Sequence, residues 1–171
     1  DIMEKGSRII CRATQLRGAD VILDFPSVGA TENVMMAAVQ ATGRTTIIGA
    51  AREPEIQDLQ AFLNMMGARV QGAGTDTVTI DGVSELRGGE FRIIPDRIVT
   101  GTVMVAAAAT RGKVTIEGAE PAHLASLVHV LRRAGIQITV ENDIIKVSAP
   151  ERPKSVERIV TSPYPAFPTD L

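Results

Sequence analysis

Aromatic side chains are scarce in this sequence: Phe, Tyr and Trp together make up 3%, and Trp is absent. A buried core must therefore be assembled from Ala, Val, Ile, Leu and Met. There is a single cysteine, Cys11. An internal disulfide is excluded, which fits a reducing compartment. Excess positive charge is also lacking. The formal net charge is -2 and no Lys/Arg run occurs, so the footprint of a dedicated nucleic-acid binder is missing. No apolar stretch approaches the roughly 20 residues that span a bilayer. The N-terminal Asp1-Ile2-Met3-Glu4-Lys5 has no signal-peptide core. What remains is 171 residues with 44% hydrophobic and 22% charged content, which excludes a disordered tail and suits one domain or two small units.

The chain repeats itself. Val34-Met35-Met36-Ala37-Ala38 matches Val103-Met104-Val105-Ala106-Ala107 at a spacing of 69, with Gly43 on Gly112 and Gly49 on Gly118. Leu59, Leu63 and Gly67 fall on Leu127, Leu131 and Gly135 at a spacing of 68. Val78-Thr79-Ile80 falls on Ile145-Lys146-Val147 at 67. The order is kept and the drift is one residue at a time, which reads as two copies of one unit. Each copy predicts α-β-α-β-β, an α/β (α+β) pattern. The first helix is expected over Thr31–Ala41 or Arg97–Ala109. Val103–Ala109 is apolar on every face and predicts a buried helix. Gly43 and Gly112 are expected as its C-caps. A strand follows over Arg44–Ile48 or Lys113–Glu117. A second helix starts near Pro54 or Pro121 and is closed by Gly67 or Gly135. Two strands complete each copy, Ala68–Gln71 and Thr77–Ile80, then Ile136–Val140 and Ile144–Val147. Residues 1–25 read as the strand-rich end of a preceding unit, with strands over Arg8–Ala13 and Asp20–Leu23. Residues 26–94 and 95–161 are the two copies, Ser155–Thr161 is a further strand, and 162–171 begins a third unit that is cut short.

Four stretches could carry chemistry. Phe25-Pro26-Ser27-Val28-Gly29-Ala30-Thr31 joins a strand to a helix, where unpaired amides and the helix dipole suit an anion. The bland alternative is an ordinary turn capped by Thr31. Arg52-Glu53-Pro54-Glu55 places three charges before a helix, for capping and a surface ion pair or for ligand contact. Asp96-Arg97 is a cap plus an exposed base, or a polar ligand contact. Pro163-Tyr164-Pro165-Ala166-Phe167-Pro168-Thr169-Asp170 stiffens its backbone with three prolines. Such a loop positions one carboxylate, and Asp170 is either a helix cap or a general base. His123 and His129 have no metal-ligand spacing. Cys11 reads as a small core residue and the six methionines as helix packing.

Taken together, Phe25–Asn33, Ala50–Ile56, Gly72–Thr77, Pro95–Thr102 and Pro163–Asp170 resemble the bacterial UDP-N-acetylglucosamine enolpyruvyl transferases, in the family's order and over the whole chain. The resemblance implies an inside-out α/β barrel, of which this chain is the central part. By it, residues 26–94 close the first domain and 95–161 open the second. It implies transfer of the enolpyruvyl group of phosphoenolpyruvate to the sugar's 3-hydroxyl, the first committed step of peptidoglycan synthesis. With that come a bacterial cytoplasmic setting and roles in cell-wall biogenesis, cell shape, cell cycle and division. The implied partners are UDP-N-acetylglucosamine, phosphoenolpyruvate and the remainder of the same enzyme chain. No cofactor, metal, nucleic acid or membrane is implied. Carried over by motif, Ser27, Val28 and Gly29 contact the nucleotide, with Phe25 and Pro26 flanking. Asp170 deprotonates the 3-hydroxyl and Thr169 holds the sugar. Glu53, Asp96 and Arg97 match polar positions near the family's cleft. The family's reactive cysteine lies in a Gly-rich loop earlier in the chain, and Cys11 has none of that context. Its N-terminal Lys-Asn pair and phosphoenolpyruvate-binding arginines are absent, so the 171 residues alone are expected to be inactive. The rival expectations are the related shikimate-pathway enolpyruvyl transferase and a non-catalytic repeat module.

Overall fold

The computed structural model describes residues 2–171. The chain divides into two compact units, Asp1–Phe91 and Arg92–Leu171.

The first unit opens with an antiparallel hairpin, β1 (Ile2–Lys5) and β2 (Arg8–Cys11). A four-stranded sheet follows in the order β3-β4-β6-β5, built from β3 (Asp20–Ile22), β4 (Arg44–Ile48), β5 (Arg69–Gln71) and β6 (Thr77–Asp81). β3 lies parallel to β4, with Val21 opposite Ile47, and the remaining pairs are antiparallel. Alternation along the strands sends Ile47, Val70, Val78 and Ile80 inward. There they meet Met35 of α1 (Val28–Ala38) and Ile56 and Leu63 of α2 (Pro54–Met65). Met35, Ile47, Ile56, Val78 and Ile80 are all 0% exposed. Arg44 and Asp81, register partners at the far end of β4 and β6, form a two-pronged ion pair at 2.7 and 2.9 Å.

The second unit repeats the plan. α3 (Arg97–Ala109) leads to β7 (Lys113–Ile116), then to a 3-10 turn (Pro121–Leu124) running into α4 (Ala125–Arg133), and finally to β8 (Gln137–Glu141) and β9 (Ile144–Ser148). Its sheet order, β7-β9-β8, matches β4-β6-β5. Met104, Leu127, Ile145 and Val147 form the center of its core.

Specific hydrogen bonds repeat as well as elements. Gly67 and Ala68 donate to Asn64 and Leu63 at the end of α2, as Gly135 and Ile136 donate to Arg132 and Leu131 at the end of α4. Asn64 Nδ2 donates to the Val70 carbonyl, and an Arg132 guanidinium nitrogen does the same for Ile138. The amides of Ala50 and Ala119 donate to the carbonyls of Asp76 and Asp143, both at 2.9 Å. A duplicated backbone network, not only duplicated hydrophobicity, underlies the matched residues.

Several expectations are corrected. β1 was missed because Ile2–Lys5 is exposed throughout and carries no burial pattern. Ser155–Thr161 is not a strand; only Thr161 forms a bridge, to Phe167. α1 starts three residues before Thr31 because Ser27, not Thr31, is the N-cap. Gly43 and Gly112 are not the C-caps: Val39 and Thr110 are. After α3 it is Arg111 that takes the left-handed conformation, at φ 59°. α3 is apolar on all sides yet buried along one stripe, Thr100, Gly101, Met104 and Ala108; Val99 is 59% exposed and Val103 39%. Cys11 is exposed rather than in the core. Met35 and Met104 are core packing, but Met36 is half exposed, and Met3 lies exposed on β1 rather than on a helix.

Candidate functional site

The candidate residues fall in both units. In the first, the stretch after β3 turns sharply into α1: the Ser27 amide donates to the Phe25 carbonyl at 2.8 Å. Ser27 is extended (φ -86°, ψ 122°), and its Oγ accepts from the Ala30 amide at 3.3 Å, a side-chain cap. The Ser27 carbonyl accepts the Thr31 amide at 3.0 Å. The first two helical amides, of Val28 and Gly29, precede any intrahelical acceptor and have no protein partner among the described residues. They stand at the positive end of the α1 dipole, the arrangement that receives an anionic oxygen. Gly29 is exposed, and no atom lies within 4 Å of where its Cβ would sit. Packing therefore does not require glycine there. Pro26 is half-buried, while the Phe25 side chain is 65% exposed beside the loop.

A second loop, Gly49–Glu53, leads from β4 into α2. The amides of Gly49 and Ala50 both donate to the Asp76 carbonyl, and Arg52 pairs with the Asp76 carboxylate at 3.4 Å. The surface ion pair expected of this stretch is thus made by Arg52 to Asp76, in the Gly74–Thr77 turn. Glu53 is the residue before α2 but makes no side-chain cap. Its side chain is directed inward, 8% exposed, and its Oε2 is buried without a hydrogen-bond partner. A buried carboxylate oxygen with no donor is costly unless a donor arrives from elsewhere. Burial, reinforced by the negative charge of Glu55, raises the pKa of Glu32 on α1 above its ordinary value.

In the second unit, Asp96 caps α3 in the full sense: Oδ1 accepts the Ile98 and Val99 amides at 2.8 and 3.0 Å. The Arg97 guanidinium lies 5.3 Å from the Tyr164 ring center, a cation–π contact. Tyr164 belongs to the proline-rich loop, whose Tyr164–Pro165 bond is cis. Three contacts hold that loop: Phe167 is in the core, the Ala166 carbonyl accepts from Ser126 Oγ, and Leu171 fills the space that Gly101 leaves open. Thr169 and Asp170 form an exposed turn between the Phe167 and Leu171 anchors. Asp170 is exposed, with its carboxylate on this turn. His129 is exposed on α4, and the half-buried His123 has an Nδ1 with no partner. Sequence reasoning missed Thr31 as more than a cap, and no residue pattern could have revealed its partner across the fold.

Comparison with known proteins gives these features a family. The family model described as EPSP synthase (3-phosphoshikimate 1-carboxyvinyltransferase) matches residues 3–171. The chain belongs to that family of carboxyvinyl, or enolpyruvyl, transferases. Over 171 residues it is 53% identical to UDP-N-acetylglucosamine 1-carboxyvinyltransferase 2 of Caldanaerobacter subterraneus, covering 100% of this chain and 41% of the relative. It is 52% identical over 163 residues to the UDP-N-acetylglucosamine 1-carboxyvinyltransferase of Mycobacterium tuberculosis, covering 95% and 39%. The chain thus spans about two-fifths of the length of the curated relatives it matches. Among solved structures, the enolpyruvyl transferase NikO of Streptomyces tendae superposes with a TM-score of 0.76 at 22% identity, over 88% of this chain and 39% of that one. EPSP synthase of Acinetobacter baumannii gives 0.59 at 23%, over 86% and 35%. These two likenesses establish the fold, the α/β architecture of the enolpyruvyl transferases.

Proposed function

We propose that this chain is the central part of a UDP-N-acetylglucosamine enolpyruvyl transferase. The supporting observation is the 53% identity, along its entire length, to relatives of that name. In this reading residues 26–94 close one domain of the enzyme and 95–161 open the next. The Val28 and Gly29 amides receive the diphosphate of UDP-N-acetylglucosamine, with Ser27 shaping the loop and Phe25 and Pro26 beside the nucleotide. Thr169 holds the sugar. Asp170, on its anchored turn, takes the proton of the 3-hydroxyl as the sugar oxygen attacks C2 of phosphoenolpyruvate. The methylene carbon gains a proton to give a tetrahedral intermediate; the resulting methyl group then loses a proton as the C–O bond to phosphate breaks, which re-forms the double bond and releases the enolpyruvyl ether and phosphate. Glu53, Asp96 and Arg97 match polar positions near the family's cleft, and the rest of the enzyme supplies the phosphoenolpyruvate contacts. The product commits the sugar to peptidoglycan, in the bacterial cytoplasm, and through it to cell shape and division.

The reading is tested in the complete enzyme with Asp170→Asn. Turnover of UDP-N-acetylglucosamine with phosphoenolpyruvate should fall by about 10²–10⁴-fold, the usual worth of a general base. The melting temperature should hold within a few degrees, because an asparagine amide oxygen can still accept a capping hydrogen bond. Near-normal turnover would remove Asp170 from the chemistry. Turnover of 3-phosphoshikimate in preference to the UDP-sugar would remove the substrate assignment.

A further inference from the structure

Thr31 is polar, 0% exposed, and uses its hydroxyl twice. Oγ1 donates to the Ser27 carbonyl at 2.8 Å and accepts from the Ala51 amide at 3.0 Å. The first bond holds the residue that shapes the loop before α1. The second reaches 20 residues along the sequence to the loop before α2, two positions from the buried carboxylate of Glu53. One hydroxyl is therefore the hydrogen-bonded link between two candidate ligand-facing loops. The repeat supplies an internal control. Thr100 occupies the matching position of the second unit, is 8% exposed, and donates to the Asp96 carbonyl at 2.9 Å. Among the described residues it accepts no bond from the loop before α4, although the Ala119 amide there still goes to Asp143. The helix-start bond is common to both copies. The loop-to-loop bond is particular to the first, where the unpaired Val28 and Gly29 amides and the orphaned Glu53 oxygen lie.

We propose that Thr31 is a positioning residue: its hydroxyl locks the Phe25–Gly29 loop to the Ala51–Glu53 loop, so that an anionic ligand seated on the Val28 and Gly29 amides also fixes the backbone that carries Glu53. The proposal rests on the nucleotide reading given above. It needs no covalent step. A buried hydroxyl bonded on both sides transmits a displacement of one loop to the other because neither bond has water to replace it.

The test is made in the complete protein by amide hydrogen exchange and by calorimetric titration with UDP-N-acetylglucosamine and with UDP. In the unmodified protein, UDP should slow exchange at Val28 and Gly29 and also at Ala51. Thr31→Val keeps the shape and removes both bonds. It should speed exchange at Ala51, abolish the UDP-induced protection there, and weaken UDP-N-acetylglucosamine roughly three- to tenfold, the worth of one positioning hydrogen bond. KM for the sugar nucleotide should rise more than kcat falls. Thr31→Ser should restore all of these. Thr100→Val should leave exchange at Glu120, the counterpart of Ala51, unchanged. Faster Ala51 exchange with unchanged affinity would make Thr31 purely structural and overturn the proposal. Unaltered Ala51 exchange in Thr31→Val would overturn it too. If Thr31→Val fails to fold, the unmodified protein decides: UDP protection at Val28 and Gly29 without protection at Ala51 refutes the coupling. Protection at neither place would instead refute the nucleotide reading, and the positioning role with it.

Discussion

Gly29 shows how a single residue separates folding from binding. Its missing Cβ faces open space, so Gly29→Ala should leave the melting temperature unchanged or raise it slightly, since glycine inside a helix costs roughly 0.5–1 kcal/mol relative to alanine. A diphosphate resting on the neighboring amides would meet that new methyl group, and UDP binding should weaken at least several-fold by titration. Unchanged affinity would place the anion elsewhere. Glu32 gives a pH test. Its pKa is raised by burial and then by Glu55, so the folded chain holds this proton more tightly than the unfolded chain. Its contribution to stability is therefore fully present below the ordinary value of 4.5 and is lost as pH rises through the raised one. Glu32→Gln should raise the melting temperature at pH 7 and have little effect at pH 4; equal shifts at both would mean that charge is not the cause. Cys11, by contrast, shows the limit of reading residue type. Cysteine is commonly buried, but among the described residues nothing covers Cys11 on β2.

At the scale of elements, helix starts carry the measurable effects. Asp96→Ala removes a carboxylate that accepts two amides and should cost about 0.5–2 kcal/mol by chemical denaturation. Ser27→Ala, whose single capping bond is 3.3 Å long, should cost less. The reverse ranking would mean that the Ser27 loop depends on more than its cap. Gly82, just after β6, is a tighter constraint. A Cβ there would collide with the Ala41 carbonyl oxygen, so Gly82→Ala must push the end of β6 away from the segment after α1. A loss of at least about 1–3 kcal/mol is expected, as for other overpacked sites. Most elements were legible in the sequence because their apolar spacing is regular. β4, β9 and α3 fall where the pattern puts them, within a residue. The failures have physical causes. Val156, Ile159 and Val160 do not keep a strict two-residue alternation, and no neighboring strand accepts them. The Thr31 misreading came from judging a cap by residue type, when the decisive variable was which carbonyl its hydroxyl could reach.

The whole chain exposes more apolar surface than its composition suggests. Phe25, Ile22, Ile48, Met36, Val99 and Val103 are all at least 39% exposed, and α1 and α3 each show an uncovered apolar side. Such surface promotes association. The 171 residues expressed alone should sediment as a concentration-dependent mixture, and a monodisperse monomer that unfolds cooperatively would contradict this. The duplication was legible at this scale because glycines and leucines recur in register. The strand that sets the first copy apart was expected over Asp20–Leu23, but its pairing and direction were not legible. β3 runs parallel to β4. Two neighboring strands pointing the same way release their chains at the same end of a sheet, so the loop before α1 and the loop before α2 emerge side by side although a whole helix separates them in sequence. Among the described residues the β7-β9-β8 sheet has no such strand, and only one strand-to-helix loop leaves it there. An edge of three residues, Asp20–Ile22, thus converts a common structural repeat into a place where two loops can share a ligand.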